Sequence, residues 1–229
     1  MISHESIAAD EIIRANICKN DLSDKVIFCR FLNGGKLQVF EINPCLCTHI
    51  LLDFGTSASD IKKFTYLRSL NHRLQILGTI SVDVSNMTVN PHNLSAWALN
   101  NQFDGLDLLV KSEAASNDTQ PNNVVFFIKE IKNLLKKSRE GSPKALMLTL
   151  TGNTLLHLEK ILSQDEFRDI DFMSILEMNE TDSSSSRNFF LNLRRLMEER
   201  TPKEKILISL SIRQTLAAQY NGKNFHVIL

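Results

Sequence analysis

The sequence predicts an α/β protein built on a parallel sheet, either a barrel or a doubly wound sheet. Three observations carry this. Short, nearly continuous apolar runs suit strands buried on both faces. Longer segments with helical periodicity separate them. The two kinds alternate along most of the chain, which implies parallel strands joined by right-handed crossovers.

Taken in order, the predicted strands are "KVIFCRF" (Lys25 to Phe31), "CTHILLDF" (Cys47 to Phe54), "RLQILGTISV" (Arg73 to Val82), "FDGLDLLV" (Phe103 to Val110), "KALMLTLT" (Lys144 to Thr151), "IDFMSILEM" (Ile170 to Met178) and "KILISLSI" (Lys205 to Ile212). The predicted helices are Ser59 to Leu70, Pro91 to Asn100, Val124 to Ser138, Asn153 to Ser163 and Arg187 to Arg200. In the third of these, Val124, Phe127, Ile128, Ile131, Leu134 and Leu135 form one apolar stripe, while Lys129, Glu130, Lys132, Lys136 and Lys137 form a solvated face. No long helical pattern links the first two strands; "NGG" at Asn33 to Gly35 is a turn. "TDSSSS" (Thr181 to Ser186) is a polar connection inside the domain, because the α/β rhythm resumes directly after it. The predicted organisation is a helical extension over 1–24 and one domain over 25–229.

Composition narrows the function. The 229 residues are 43% apolar, ample for a buried core. Lysine plus arginine (26) equals aspartate plus glutamate (26), so no overall field draws in nucleic acid or an anionic membrane. No run approaches the ~20 apolar residues of a membrane span, and residues 1–20 lack the uninterrupted apolar core of a signal peptide. No glycine-rich phosphate loop opens a helix, which removes support for nucleotide binding. Cys18, Cys29, Cys45 and Cys47 lack metal-site spacing, leaving a disulfide or buried thiols. Of the six histidines, His49 in "CTHI" reads as a packed core residue, and His4, His72, His92, His157 and His226 form no metal pattern. No cofactor is expected. Sequons at Asn86, Asn93, Asn117 and Asn179 permit glycosylation without establishing it.

The ordered strands resemble the glycoside hydrolase family 18 barrel of chitinases and chitinase-like lectins. "INPCLCTHILLDF" is similar to the family's second-strand "D-P-x-L-C-T-H-(L/I)-I-Y-A-F", and "FDGLDL" to the opening of its catalytic signature. "RDIDFMSILEM" resembles the sixth strand and "TPKEKILISLSI" the seventh. The resemblance runs from Val26 to Leu216 and implies an incomplete TIM-type (β/α) barrel of seven strands, without the family's inserted small domain and eighth strand. "FHVIL" at 225–229 could form a short replacement strand. Without it, the first and seventh strands present unpaired edges at a seam that the N-terminal helix, the tail or a second copy must cover.

In the family the signature is D-G-x-D-x-D-x-E, and strand alternation points its last three acids to one face, into the barrel mouth. The final Glu protonates the glycosidic oxygen, and the middle Asp orients the substrate's acetamido group. Here Asp104 and Asp107 match the first two acids, Leu109 stands at the third and Lys111 at the catalytic Glu. An ordinary lysine, with a pKa of about 10.4, is a poor general acid. Glu113 has the right parity but lies roughly 6.6 Å further along the strand. Asp104 and Asp107 read as remnants that satisfy hydrogen bonds of the barrel. Where the family carries S-x-G-G-W this chain aligns Gly78 to Val82, and where it carries M-x-Y-D this chain has Leu176 to Asn179. The single tryptophan, Trp97, belongs to the helix before the fourth strand, where packing is the expected role.

The resemblance therefore implies a non-catalytic chitinase-like protein, with no catalytic residue, acting through protein contacts. A weakly chitooligosaccharide-binding lectin is the alternative, and a hydrolase working through Glu113 is third. The implied partners are proteins or a second copy at the seam, with chitooligosaccharide bound weakly at most, and neither nucleic acid nor membrane. The family also implies secretion and a disulfide from Cys29 to Cys47 once the chain meets an oxidising compartment.

Overall fold

The structure is a computed structural model that describes residues 26–31, 39, 42–83, 89–111, 121–137, 146–152, 170–175, 205–211 and 226–228; the side chains of 111, 121–124, 175, 208–211 and 226–228 lie outside the description. The expected helices at 153–163 and 187–200, the extension at 1–24, Glu113 and Leu176 to Asn179 all fall outside the described residues.

Eight strands follow one another in chain order, β1 (Phe28–Phe31), β2 (His49–Asp53), β3 (Gln75–Asp83), β4 (Gly105–Lys111), β5 (Met147–Gly152), β6 (Phe172–Ile175), β7 (Ile206–Ser211) and β8 (His226–Ile228). Among the described residues β1 pairs with β2, and β3 through β7 pair in succession, all of them parallel. This is the strand order of a TIM-type (β/α) barrel. All seven expected strands are present. The tail adds β8, three residues within "FHVIL", which is the short replacement strand that the sequence allowed there. The described helices are α1 (Ala58–Leu70), α2 (Pro91–Asn100) and α3 (Pro121–Lys137).

The described residues divide into two compact units, one running up to Ile76 and including His226 and Val227, the other from Leu77 to Ser211 and including Ile228. In the first, β1 and β2 pair from Phe28↔His49 to Phe31↔Leu52. Thr48 ties the start of that pair: its hydroxyl accepts from Ile27 N at 2.7 Å, and its own N–H donates to Ile27 O at 2.9 Å. The helix α1 starts at Ser57, whose side chain caps the amide of Asp60 at 3.1 Å and replaces one of the orphan bonds of a helix start. Its buried residues are Ile61, Phe64 and Leu67, at the i, i+3 spacing of one helix face. Phe64 meets Phe31 edge-on, with ring centroids 4.7 Å apart. Cys29 and Cys47 form a disulfide with Cα atoms 5.9 Å apart, within normal bridge geometry. Cys45 is also disulfide-bonded.

The second unit holds β3 from Leu77 onward, α2, β4, α3 and β5 to β7. Asn90 caps α2 by accepting from His92 N at 2.8 Å, and Pro91 occupies the first turn, where its missing N–H costs nothing. In α3 the expected stripe is buried at Phe127, Ile128, Ile131 and Leu135, and Lys136 and Lys137 close the helix favourably for its dipole. Asp171 fastens α3 and β5 to the start of β6: one carboxylate oxygen accepts from Leu148 N at 2.7 Å and from Lys132 Nζ at 3.1 Å. Among the described residues, no helix is long and apolar enough to cross a membrane.

Candidate functional site

β4 carries the residues singled out by the sequence. It begins at a forced glycine. A Cβ on Gly105 would run into the backbone of Met147 on β5, so the "D-G" of the motif is required by the close approach of two strands. The preceding residue, Asp104, is 9% exposed, and its carbonyl accepts from Met147 N at 2.8 Å. Asp104 thus sits at the entry to β4, on the far side of the glycine from the rest of the motif.

Alternation divides β4 into two faces. Leu106, Leu108 and Val110 are buried on one. Asp107, Leu109 and Lys111 share the other. In the sheet register Asp107 lies between Thr79 and Thr149, Leu109 between Ser81 and Thr151, and Lys111 beside Asp83.

Asp107 is fully buried, at 0% exposure, and three threonine hydroxyls close on it. Thr149 and Thr151 donate to one carboxylate oxygen at 2.8 and 2.7 Å, and Thr79 donates to the other at 3.2 Å. A carboxylate removed from water is tolerated only where hydrogen bonds replace its hydration, and here two flanking strands supply them. This side chain holds β3, β4 and β5 together. It has no exposed surface through which to meet a ligand. The next layer toward the strand ends is different: Ser81 is exposed, Leu109 is partly so, and Thr151 and Ser174 are buried. Ser174 Oγ has no hydrogen-bond partner among the described residues.

The threonines were not visible as site residues from sequence. Thr149 and Thr151 occupy alternate positions in "LTLT", the spacing that puts both on one face of a strand, and Thr79 occupies the matching face of β3. That alternation was the available signal, but each threonine alone reads as an ordinary strand former.

Trp97 does not face this layer. Its ring fills the space that a side chain at Gly78 would occupy, and it meets Phe103 edge-on at 4.8 Å. It is a packing residue that makes glycine obligatory at position 78. His49, 6% exposed, packs against Phe28 at 4.4 Å, and its Nδ1 shares a hydrogen bond with Thr48 Oγ1 at 2.8 Å.

The fold is similar to that of solved structures. Human YKL-39 superposes with a TM-score of 0.60 at 17% identity, over 82% of this chain and 68% of that one; it is described as a pseudo-chitinase with retained chitooligosaccharide binding properties. The fold is that of the family 18 chitinases and chitinase-like proteins. A family 18 N-acetylglucosaminidase from Paenibacillus barengoltzii aligns over 79% of this chain and 80% of its own, with a TM-score of 0.51 and 17% identity. The chitinase TsES1 from Trichuris suis, described as immunomodulatory, gives a TM-score of 0.60 at 14% identity over 83% and 68%. By sequence the chain matches no protein-family model and no curated protein. At these identities the family 18 likeness establishes the fold, and function has to be argued from the residues of β4 and its neighbours.

Proposed function

We propose that this chain is a non-catalytic chitinase-like protein that acts through contacts with other proteins. One observation carries the reading. On the face of β4 where the family 18 signature would set its last three acids, the chain has Asp107, Leu109 and Lys111, and Asp107 is sealed under three hydroxyls. Glycoside hydrolysis in this family needs a carboxylic acid within hydrogen-bond reach of the leaving oxygen. Leucine cannot orient an acetamido group by hydrogen bonding, and a lysine holds its proton too tightly for the acid's role. Of these three positions, the one carboxylate, Asp107, is committed to joining strands.

A second reading has support from the description of YKL-39, a pseudo-chitinase that retains chitooligosaccharide binding. Sugar rings are usually held by aromatic faces with polar groups at their edges. Trp97 is engaged with Gly78 and Phe103, so it is not offered as such a platform. On this ground the lectin reading stands second.

The test combines turnover and binding. A fluorogenic chitobioside should release no fluorophore above buffer, and the double substitution Leu109→Asp with Lys111→Glu should not restore turnover. Calorimetry with chitooligosaccharides should give millimolar affinity at best, about 4 kcal/mol. Micromolar binding would make the protein a lectin. Turnover abolished by Glu113→Gln would make it an enzyme.

A further inference from the structure

Among the described residues, the asparagine side chains of several loops and caps do structural work. Asn43 accepts from Cys45 N at 3.0 Å, and Asn90 accepts from His92 N at 2.8 Å. Asn71 donates to Pro44 O and accepts from Arg73 N, at 2.8 and 3.1 Å, and Asn101 donates to Trp97 O at 2.8 Å. Asn93 differs. It is exposed on the first turn of α2, no hydrogen bond engages its amide among the described residues, and it opens the sequon Asn93-Leu94-Ser95. The other three sequon asparagines lie outside the described residues.

Two further observations bear on this amide. Among the described residues no cysteine is free: Cys29 is bridged to Cys47, and Cys45 is bonded as well. Disulfides form and persist in oxidising compartments such as the lumen of the secretory pathway, which is also where asparagine is glycosylated. In addition, the two ends of the sequon part company on folding. Positions i and i+2 of a helix do not share a face, and while Asn93 stays in solvent, Ser95 is 5% exposed.

We propose that Asn93 is a site of N-linked glycosylation, and that the sugar is attached before α2 folds. The co-reactant is an oligosaccharide linked to a polyprenyl diphosphate. Asn93 Nδ2 forms a C–N bond to the anomeric carbon, the bond from that carbon to the diphosphate oxygen breaks, and the lipid diphosphate leaves with the electron pair. The amide gives up one proton to the transferase. Recognition of the sequon requires Ser95 to be reachable, which holds for the extended chain and fails in the folded helix. The finished glycan then projects from the exposed turn without displacing a packed side chain. The inference does not depend on the catalytic or lectin reading.

The full chain, placed behind a cleavable signal peptide in a eukaryotic secretory host, is recovered from medium and cells together, and its peptides are mapped before and after peptide N-glycosidase. The peptide containing Asn93 should carry hexose and N-acetylhexosamine mass, and both Asn93→Gln and Ser95→Ala should abolish it. Because the readout is attachment to the unfolded chain, a folding defect in Ser95→Ala does not obscure it. Folded, unglycosylated protein from a bacterial host, incubated with the transferase and lipid-linked sugar, should stay unmodified at Asn93, whereas the urea-unfolded chain diluted into the same reaction should be modified. An unmodified Asn93 peptide in chains carrying the Cys29–Cys47 bridge would overturn the site. Equal modification of folded and unfolded protein would overturn the order of events.

Discussion

Replacing Asp107 tests whether the buried acid of β4 is a structural clasp. Asp107→Ala removes the shared acceptor of three hydroxyls at a position with 0% exposure. Hydrogen bonds to a charged group contribute about 1.5 to 3 kcal/mol each, but these three share one acceptor and removing the charge relieves its desolvation. What remains is three buried hydroxyls without their acceptor, at about 1 to 3 kcal/mol for each that finds no other partner; with the desolvation of the carboxylate relieved, the net loss should be about 2 to 4 kcal/mol. Such a loss is a large part of the roughly 5 to 15 kcal/mol that holds a domain folded, so two milder variants accompany it. Asp107→Asn keeps the shape and one acceptor oxygen, but turns an N–H toward one side of the cluster, and should cost about 1 to 2 kcal/mol. Thr149→Val removes one donor at nearly constant volume and should cost a similar amount. Urea unfolding of the full, disulfide-intact chain, followed by far-UV circular dichroism, reads all three as lowered midpoints at constant slope. If Asp107→Asn and Asp107→Ala both unfold at or above the native midpoint, the clasp account is wrong. The carboxylate would then behave as one kept for activity against the interest of stability.

Other substitutions probe the scaffold and its surface. Gly105→Ala places a methyl group against the backbone of Met147, so β4 and β5 must separate; the variant should lose at least the about 1 to 3 kcal/mol typical of overpacking, seen as a lower melting temperature. Serine at both Cys29 and Cys47, whose bridge spans 18 positions, should cost about 3 kcal/mol in the chain-entropy account, and peptide mapping without reductant should recover the pair in the native protein. At the α1 cap, the hydrogen bond from Lys63 and then that from Ser57 hold Asp60 below the ordinary carboxylate range. Its folded value is depressed, so its contribution is fully present above the ordinary value and is lost as pH falls through the folded one. The difference in midpoint between the native chain and Asp60→Asn should accordingly shrink as the pH is lowered through the acid range.

The elements of this fold were legible because they follow local rules. Short continuous apolar runs located β1 through β7, and longer helical patterns located all three described helices. The ordered resemblance then chose a barrel over a doubly wound sheet. Position 225–229 was less decisive, since a three-residue strand such as β8 has too few residues to establish a period. The acids of β4 were legible as a pattern, but their surroundings were not. Thr79, Thr149 and Thr151 meet Asp107 through the register of three strands, and register is set by long-range packing that no single stretch encodes. Gly105 shows the same limit. Its place in the motif was plain, while the reason for it, the backbone of Met147, lies 42 positions away in the chain.

The hydroxyl cluster also bears on how the protein is made. Its three bonds to Asp107 span 28, 42 and 44 positions of chain. Chains emerge from the ribosome at about 5 to 20 residues per second, so β4 is available seconds before Thr149 and Thr151 can reach it. During that interval a strand pair made of β3 and β4 would carry the carboxylate without the two hydroxyls of β5, and water must stay beside the acid. The interior of this unit therefore cannot dry until β5 has arrived. Truncated nascent chains ending before residue 149 should remain sensitive to protease through β4, and those extending well past residue 151 should become resistant in a single step.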